Sequence, residues 1–472
     1  MGTSKGGTSG LLDLIDLRGS SGPLADRLPR PVVAGQAPLE AVREIISQVR
    51  IAGDDALRRY SLQFDGIEID DIQVDPAQIA QAPSKIDPKL ADALRRAAFR
   101  IEQYQLGRAS ALGIGVCGAR KIDLFEKDGI AVETYRAPLA RAGIYVPGGR
   151  ARYPSTVLMT AIAAKVAGVG QIAACIPPGP DGFPPVESLA AAAIAGVDQV
   201  FRIGGAQAIA SMAFGTKSVP AVDVVVGPGN IYVSLAKQEL AGIVSVPGAF
   251  AGPSEVVVVA DASTDPLLAA VDLAVQAEHG PDGLAWLVTW SPEAVGPICE
   301  ALAQVVEKSP RRVDLESTLS AGGFVAIVDG PDKAVEVINE IAPEHLEILL
   351  SDPEEVLRGV ANAGAIFVGM NTPASVGDYV AGPSHVLPTN GTARFAGALS
   401  VVDFTKEMSV VKVSPEAIES VAGDVSIIAL AEGLDAHSQS VLMRLPALET
   451  QSGASLDMGA SNLNLVQGED HG

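Results

Sequence analysis

GIYVPGG (143–149), STVLMTAIAAKVAGV (155–169), QIAACIPP (171–178), ESLAAAAIAGV (187–197), QVFRIGG (199–205), AQAIASMAFG (206–215) and VDVVVGPGN (222–230) follow one another in a single stretch. Short β-branched runs alternate here with Ala-rich segments of helical length, a pattern that predicts parallel βαβ units. A second series begins at SEVVVVAD (254–261). It continues through a helix from Pro266 to Glu278, LAWLVT (284–289), a helix from about Ser291, FVAIVDG (324–330), a helix near Asp332, HLEILL (345–350) and AIFVG (365–369). The expected fold is therefore α/β with two similar halves. Upstream, PLEAVREIISQVR (38–50) and PKLADALRRAAFRIEQY (88–104) repeat apolar residues at helical spacing and predict amphipathic helices.

The elements after Gly391 are shorter and mixed, ending in a helix-like stretch around AEGLDAHSQSV (431–441). Four parts are expected. Residues 30–143 and 252–385 form a discontinuous α/β domain with the N-terminal helices, 144–251 a second α/β domain of Rossmann type, 386–450 a small C-terminal domain, and 1–29 and 451–472 flexible ends. The ends are rich in Gly, Ser, Asp and Asn and carry few large apolar side chains to offset chain entropy.

With 34 basic and 56 acidic residues the formal charge is −22, which repels phosphate backbones and anionic membranes. Neither nucleic acid nor a membrane is an expected partner. Cys117, Cys175 and Cys299 show no paired spacing, so neither a disulfide framework nor a thiolate zinc site is indicated and a reducing compartment follows. Lys165 interrupts the longest apolar run, and MGTSKGGTSG lacks the apolar stretch of a signal peptide. A cytoplasmic location is expected.

Of five histidines, four lie in motifs beside carboxylates or amides: QAEH (276–279), PEH (343–345), GDYVAGPSH (377–385) and EGLDAH (432–437). His471 lies in the tail. Thr264 or Asp265 can cap a helix opened by Pro266 and ended by Gly280, which sets Gln276 and His279 on one face of its last turn. Asp378 follows a TPxSxG turn just beyond AIFVG, which places it at the carboxyl end of a strand, where open α/β sheets bind ligands. Glu344 and His345 are neighbours, and neighbours converge only in a turn, since a strand sends them to opposite faces. A histidine with a pKa of about 6.5 takes a proton near neutrality, and a partly desolvated glutamate beside it activates water. Each motif alone also fits a cap or a surface pair. Together they supply imidazole, carboxylate and amide donors without thiolate, which suits zinc or a similar ion in an open catalytic site.

GVGQIA (168–173) matches GxGxxA but follows a helix and precedes a strand, the reverse of the order that sets a pyrophosphate on a helix N-terminus. Gly204-Gly205, before a helix containing Gln207, and Gly227-Pro228-Gly229-Asn230 stand in the correct order, and Tyr145 lies beside them.

YVPGG, GGAQAIA, GPGN, AGPSE, QAEHG, IAPEHLEI, GDYVAG, HVLPTNGTARF and AEGLDAH, in this order from about Val32 to Leu445, resemble the histidinol dehydrogenase family. The resemblance implies two incomplete Rossmann-like domains with two smaller ones, a homodimer, and oxidation of L-histidinol through L-histidinal to L-histidine with two reductions of NAD. It implies one zinc per subunit held by Gln276, His279, Asp378 and His437, the last supplied by the partner chain through the small C-terminal domain. Glu344 and His345 match the acid/base pair. Ser254, Gln276, His279, His345, Asp378, Glu432 and His437 match the substrate contacts, and Tyr145, Gln207 and Asn230 match the NAD contacts. His385 matches a supporting histidine. Ser384 stands where many relatives have Asn, which bears on substrate positioning. Rival readings are a zinc- and NAD-dependent dehydrogenase of another small amino or hydroxy alcohol, a zinc hydrolase, and a catalytically silent metal-binding protein. Intact Glu432 and His437 favour the imidazole amino alcohol.

Overall fold

The computed structural model describes residues 10–29, 38–114, 120–148, 152–248, 252, 254–278, 280 and 283–445. Strand β1 (Asp13–Asp16) is followed by helices α1 (Leu39–Ala52), α2 (Asp54–Tyr60), α3 (Pro76–Gln81) and α4 (Pro88–Ala111), then by strands β2 (Arg120–Lys127) and β3 (Ile130–Pro138). The first βα series is β4 (Arg141–Tyr145), α5 (Pro154–Ala167), β5 (Gln171–Cys175), α6 (Val186–Ala195), β6 (Gln199–Phe201), α7 (Gly205–Phe214), β7 (Val224–Val226) and α8 (Ile231–Leu240). The second opens with β8 (Glu255–Ala260), α9 (Pro266–Ala277), β9 (Leu284–Thr289), α10 (Pro292–Lys308), α11 (Arg312–Gly322) and β10 (Gly323–Ile327). It closes with α12 (Pro331–Ile341), β11 (His345–Leu349), α13 (Glu354–Gly359), β12 (Ala365–Val368) and α14 (Ala374–Tyr379). Strand β13 (Thr405–Val413) and helices α15 (Pro415–Ala431) and α16 (Asp435–Leu442) end the described chain.

The two series form two parallel sheets, ordered β6-β5-β4-β7 and β1-β10-β9-β8-β11-β12. Their inner strands are buried on both faces, which is why those strands read as nearly unbroken apolar runs. In β8, Val256 and Val258 enter the apolar layer that holds α9 and α10, while Val257 and Val259 enter the opposite layer with α12. Ile144 and Tyr145 divide in the same way between the two faces of the smaller sheet. This is the α/β architecture that the alternating runs predict.

Three boundaries differ from expectation. Within 1–29, which the composition marks as a flexible end, Asp13–Asp16 pairs with β10 along Phe324–Ile327 and Gly19 N donates to Asp329. A four-residue edge strand flanked by Asp, Gly and Ser carries too little apolar content to stand out. The N-terminal helices, grouped by position with 252–385, cover the smaller sheet instead. Val42, Ile45 and Val49 pack with Ala208 and Met212, while Leu94 and Ile101 pack in the layer of Leu158 and Ile162. Periodicity shows which face of a helix is apolar, not which sheet receives it.

The chain divides into two compact units, residues 1–121 with 135–408, and 122–134 with 409–472. Residues 386–408, expected in the small C-terminal domain, stay in the first unit, where Val401 N donates to Gln105 Oε1 (3.2 Å) and Leu139 N to Phe404 O (2.9 Å). In the second unit, Asp128 and Gly129 turn β2 into β3 with positive φ at both residues. Lys412 Nζ pairs with Glu133 Oε1 at 2.7 Å, and the Ser426 and Ser438 hydroxyls (2.6 Å) join α15 to α16.

Candidate functional site

Helix α9 forms as its sequence directs: Asp265 caps it by accepting from Leu267 N at 2.8 Å, and Pro266 occupies its first position. Gln276 lies buried in its last turn, and its Nε2 meets no hydrogen-bond partner. His279 lies outside the described residues, as do Cys117 and His471.

Strand β11 begins at His345, and Glu344 occupies the bend before it, so the two side chains converge as expected. Both are buried, with Glu344 Oε2 at 3.6 Å from His345 Nδ1. Glu344 Oε2 also accepts from Glu255 N (3.0 Å), which fixes the carboxylate at the mouth of β8. His345 Nδ1 lies 3.3 Å from Glu255 O and Nε2 lies 3.2 Å from Asp378 Oδ1. Both ring nitrogens therefore face acceptors, Nδ1 the Glu255 carbonyl and Nε2 the Asp378 carboxylate, an arrangement that favours the protonated ring. Burial opposes that charge, but the Glu344 charge and the Asp378 hydrogen bond outweigh it and push the ring up to about 10. Phe367 of β12 stacks on the ring, with centroids 5.9 Å apart and planes 18° off parallel.

Asp378 is expected just after a TPxSxG turn, at the carboxyl end of a strand. It lies instead in the short helix α14, whose first residue, Ala374, donates to Glu347 of β11 (3.3 Å) and whose Asp378 meets His345 at the amino end of β11. The helix therefore runs back along β11, and the site forms at the amino edge of the larger sheet. Gly377 permits this approach, because a Cβ there would enter the Phe367 ring.

His385 completes the turn after α14. Its Nδ1 donates to Asp378 O (2.8 Å), and its Nε2 lies 3.1 Å from Thr156 Oγ1 of α5. Burial lowers its pKa, against the pull of Asp378, so the ring is held neutral and braces the backbone that carries Asp378. Ser254 directly precedes β8, and its carbonyl accepts from Leu284 N (3.0 Å).

The residues expected to meet NAD gather at the carboxyl edge of the smaller sheet. Tyr145 ends β4, and its hydroxyl accepts from Gly205 N at 3.1 Å. Gln207, in the first turn of α7, is buried with an unpartnered Oε1. Asn230 caps α8, its Oδ1 accepting from Tyr232 N (3.1 Å) and Val233 N (3.2 Å). Gly227 has a φ of 107°, and a side chain there would strike the Tyr145 carbonyl. Lys237 lies wholly buried under this turn and donates from Nζ to Gly227 O, and burial lowers its pKa to about 8.

No sequence motif singles out Glu255, Thr156, Lys237, Asp272 or Glu347, which the fold brings close to these groups. Charged residues inside apolar runs, as in SEVVVVAD and HLEILL, were the available signal for the two glutamates. Glu432 and His437 lie in the second unit, both exposed, on either side of Gly433, which separates α15 from α16. Cys175 and Cys299 are buried, and burial raises both thiols, which leaves them as packing residues. Among the described residues no three His, Cys, Asp or Glu side chains form a metal-holding group.

Two parallel sheets, one with glycine turns at its carboxyl edge and one with a buried Glu-His-Asp group at its amino edge, define an α/β enzyme of the acid–base kind. The family model described as histidinol dehydrogenase matches residues 28–445. The chain belongs to the histidinol dehydrogenase family. It is 42% identical over 411 residues to the histidinol dehydrogenase of Synechococcus sp., covering 87% of this chain and 92% of that one. It is 45% identical over 401 residues to the enzyme of Parasynechococcus marenigrum, covering 85% and 90%. The crystal structure of histidinol dehydrogenase from Elizabethkingia anophelis shares its fold with a TM-score of 0.84 at 31% identity, over 92% of this chain and 98% of that one.

Proposed function

We propose that the chain is a cytoplasmic, homodimeric, zinc-dependent enzyme that oxidises L-histidinol through L-histidinal to L-histidine, reducing two NAD. The observation that carries this reading is the buried Glu344-His345-Asp378 group within a chain of this family. Gln276 and Asp378, on adjacent helices, with His279 and the second subunit's His437, are the residues that would hold zinc. The donor set fits: it is nitrogen and oxygen without sulfur, and Gln276 Nε2 is buried without a hydrogen-bond partner, so that side of the amide is not tied to a neighbour. Zinc, when bound, fixes the imidazole and amino nitrogens of the substrate. NAD, when bound, takes two electrons at each oxidation. Tyr145, Gln207 and Asn230 would line its site, where Gln207 Oε1 is buried without a partner beside the glycine turns.

The remaining chemistry belongs to the chain's own side chains. His345 removes the hydroxyl proton of histidinol in the first oxidation. With a cation held at Asp378, that carboxylate would pull less on the ring, and His345 would give up its proton more readily and be free to act as a base. Glu344 draws a proton from water as that water adds to the aldehyde, and His345 serves again as the hydrate is oxidised. The sum is alcohol plus water to carboxylate, with four electrons leaving in two pairs. Glu432 would pair with the substrate ammonium, and Ser254 would contact the substrate beside it.

The dimer is supported by the second unit, where Ile427, Ile428, Leu430 and Met443 all expose more than half of their surface around Glu432 and His437. The cytoplasmic placement rests on the acidic charge and the scattered cysteines of the sequence; no described helix is long and apolar enough to cross a membrane.

The test is NADH formation from L-histidinol, followed by absorbance on protein as isolated, after chelation, and with zinc restored. Two NADH per histidinol, lost on chelation and regained with zinc, is the expected result. Cleavage of an amide with no NADH would establish a hydrolase instead. A second expectation concerns placement: Gly377→Ala pushes α14 off Phe367 and shifts Asp378. It should lower kcat by roughly 10²-fold and cost about 1–3 kcal/mol of stability, measured by steady-state kinetics and thermal unfolding. An unchanged kcat would show that Asp378 tolerates the displacement.

A further inference from the structure

Beneath the Glu344-His345-Asp378 group lies a second set of carboxyls that the chemistry above does not use. Glu347 follows His345 by two residues on β11, so both side chains stand on the sheet face that α9 covers. Asp272 precedes Gln276 by one turn on α9 and shares its helix face. Glu347 has no exposed surface and Asp272 only 6%, and among the described residues neither forms an ion pair with Lys or Arg. The two carboxyls meet each other in the core. Glu347 Oε2 accepts from Ala374 N at 3.3 Å, while its Oε1 is buried without another partner. Burial, reinforced by the Asp272 charge, raises Glu347 to about 9, and burial raises Asp272 as well. At neutral pH the pair holds a proton, and the O–H···O bond so formed satisfies Glu347 Oε1.

We propose that the hydrogen-bonded carboxyl pair Asp272-Glu347 positions the catalytic centre. It ties helix α9, which carries Gln276, to strand β11, which carries His345, and through Ala374 to helix α14, which carries Asp378. The pair touches neither substrate nor cofactor and acts by fixing three elements whose residues converge from different parts of the chain. This inference rests on the reading of Gln276 and Asp378 as zinc ligands, so its test includes that reading as a separate arm.

Zinc affinity is measured by competition with a chromophoric chelator, beside kcat and KM for L-histidinol, on the full-length protein and on Gln276→Ala, Glu347→Gln, Glu347→Ala and Asp272→Ala. The Glu347→Gln amide keeps one acceptor for Ala374 N–H and one donor for Asp272, so this variant should bind zinc and turn over as the parent does. Glu347→Ala and Asp272→Ala should each lose about 10- to 100-fold in zinc affinity, with far-UV circular dichroism unchanged. Where Glu347→Ala does not fold, Glu347→Met fills the same space without the hydrogen bond and takes its place. A Glu347→Gln variant as impaired as Glu347→Ala would overturn the proposal. So would alanine variants with parental zinc affinity beside a weakened Gln276→Ala. Parental affinity in Gln276→Ala itself would overturn the ligand assignment and the positioning role with it.

Discussion

His345→Ala is expected to fold normally and to lose about 10² to 10⁴ in kcat on both oxidations, because this one ring serves as base in each. The side chain is almost wholly buried between Glu344, Asp378 and the Phe367 face, so water has little room to substitute for it. Glu344→Gln should separate the two steps. Its remaining oxygen can still accept from Glu255 N, so the bend before β11 is kept, but the group no longer takes a proton from water. Oxidation of L-histidinal supplied directly should then fall by a similar factor, and oxidation of L-histidinol to the aldehyde should fall less. Stopped-flow absorbance with each substrate in turn checks both. Equal losses on the two substrates would assign Glu344 to electrostatic support of His345 alone, and a His345→Ala variant within tenfold of the parent would remove the ring from the chemistry.

The second large effect is a recovery. His437→Ala and His345→Ala should each be nearly inactive alone, since each removes one part of every site. If His437 completes the site of the other subunit, a mixed dimer carries one site with both lesions and one with none. Random reassembly of equal amounts should then restore about a quarter of the parental activity, by the statistics of a two-fold dimer. Refolding the two variants together, against each refolded alone, measures it. Were His437 to serve its own chain, every site of every dimer would keep one lesion and the mixture would stay inactive.

The two sheets were legible because a parallel strand buried on both faces has no choice but to be apolar, and each lies between Gly, Pro and Asn turns. The Glu344-His345 convergence was legible from adjacency alone. The position of Asp378 was not, because a strand followed by TPxSxG says where the chain leaves the sheet and nothing about its doubling back along β11. The neighbour that makes this possible is Phe367, and the glycine that permits it is ten residues further on, so the signal exists only in space. Asp272 and Glu347 show the complementary failure: each looks like an unremarkable acid in a helix or strand until the other is placed beside it. The β2–β3 turn was readable in principle, since Asp128-Gly129 is a strong hairpin dipeptide, but it sits in a charged stretch between longer apolar patterns.

Strand β1 pairs with β10, and the contact of Gly19 with Asp329 spans 310 residues of chain. The smaller sheet, by contrast, draws all its strands from the contiguous segment between Arg141 and Val226. On a ribosome adding about 5–20 residues per second, that sheet can close while the rest of the chain is still being made. The first strand to emerge meanwhile waits roughly 15–60 s for its neighbour. Its brevity and its two aspartates then act as a safeguard during translation, because a longer apolar edge waiting that long would invite pairing with nascent chains on adjacent ribosomes.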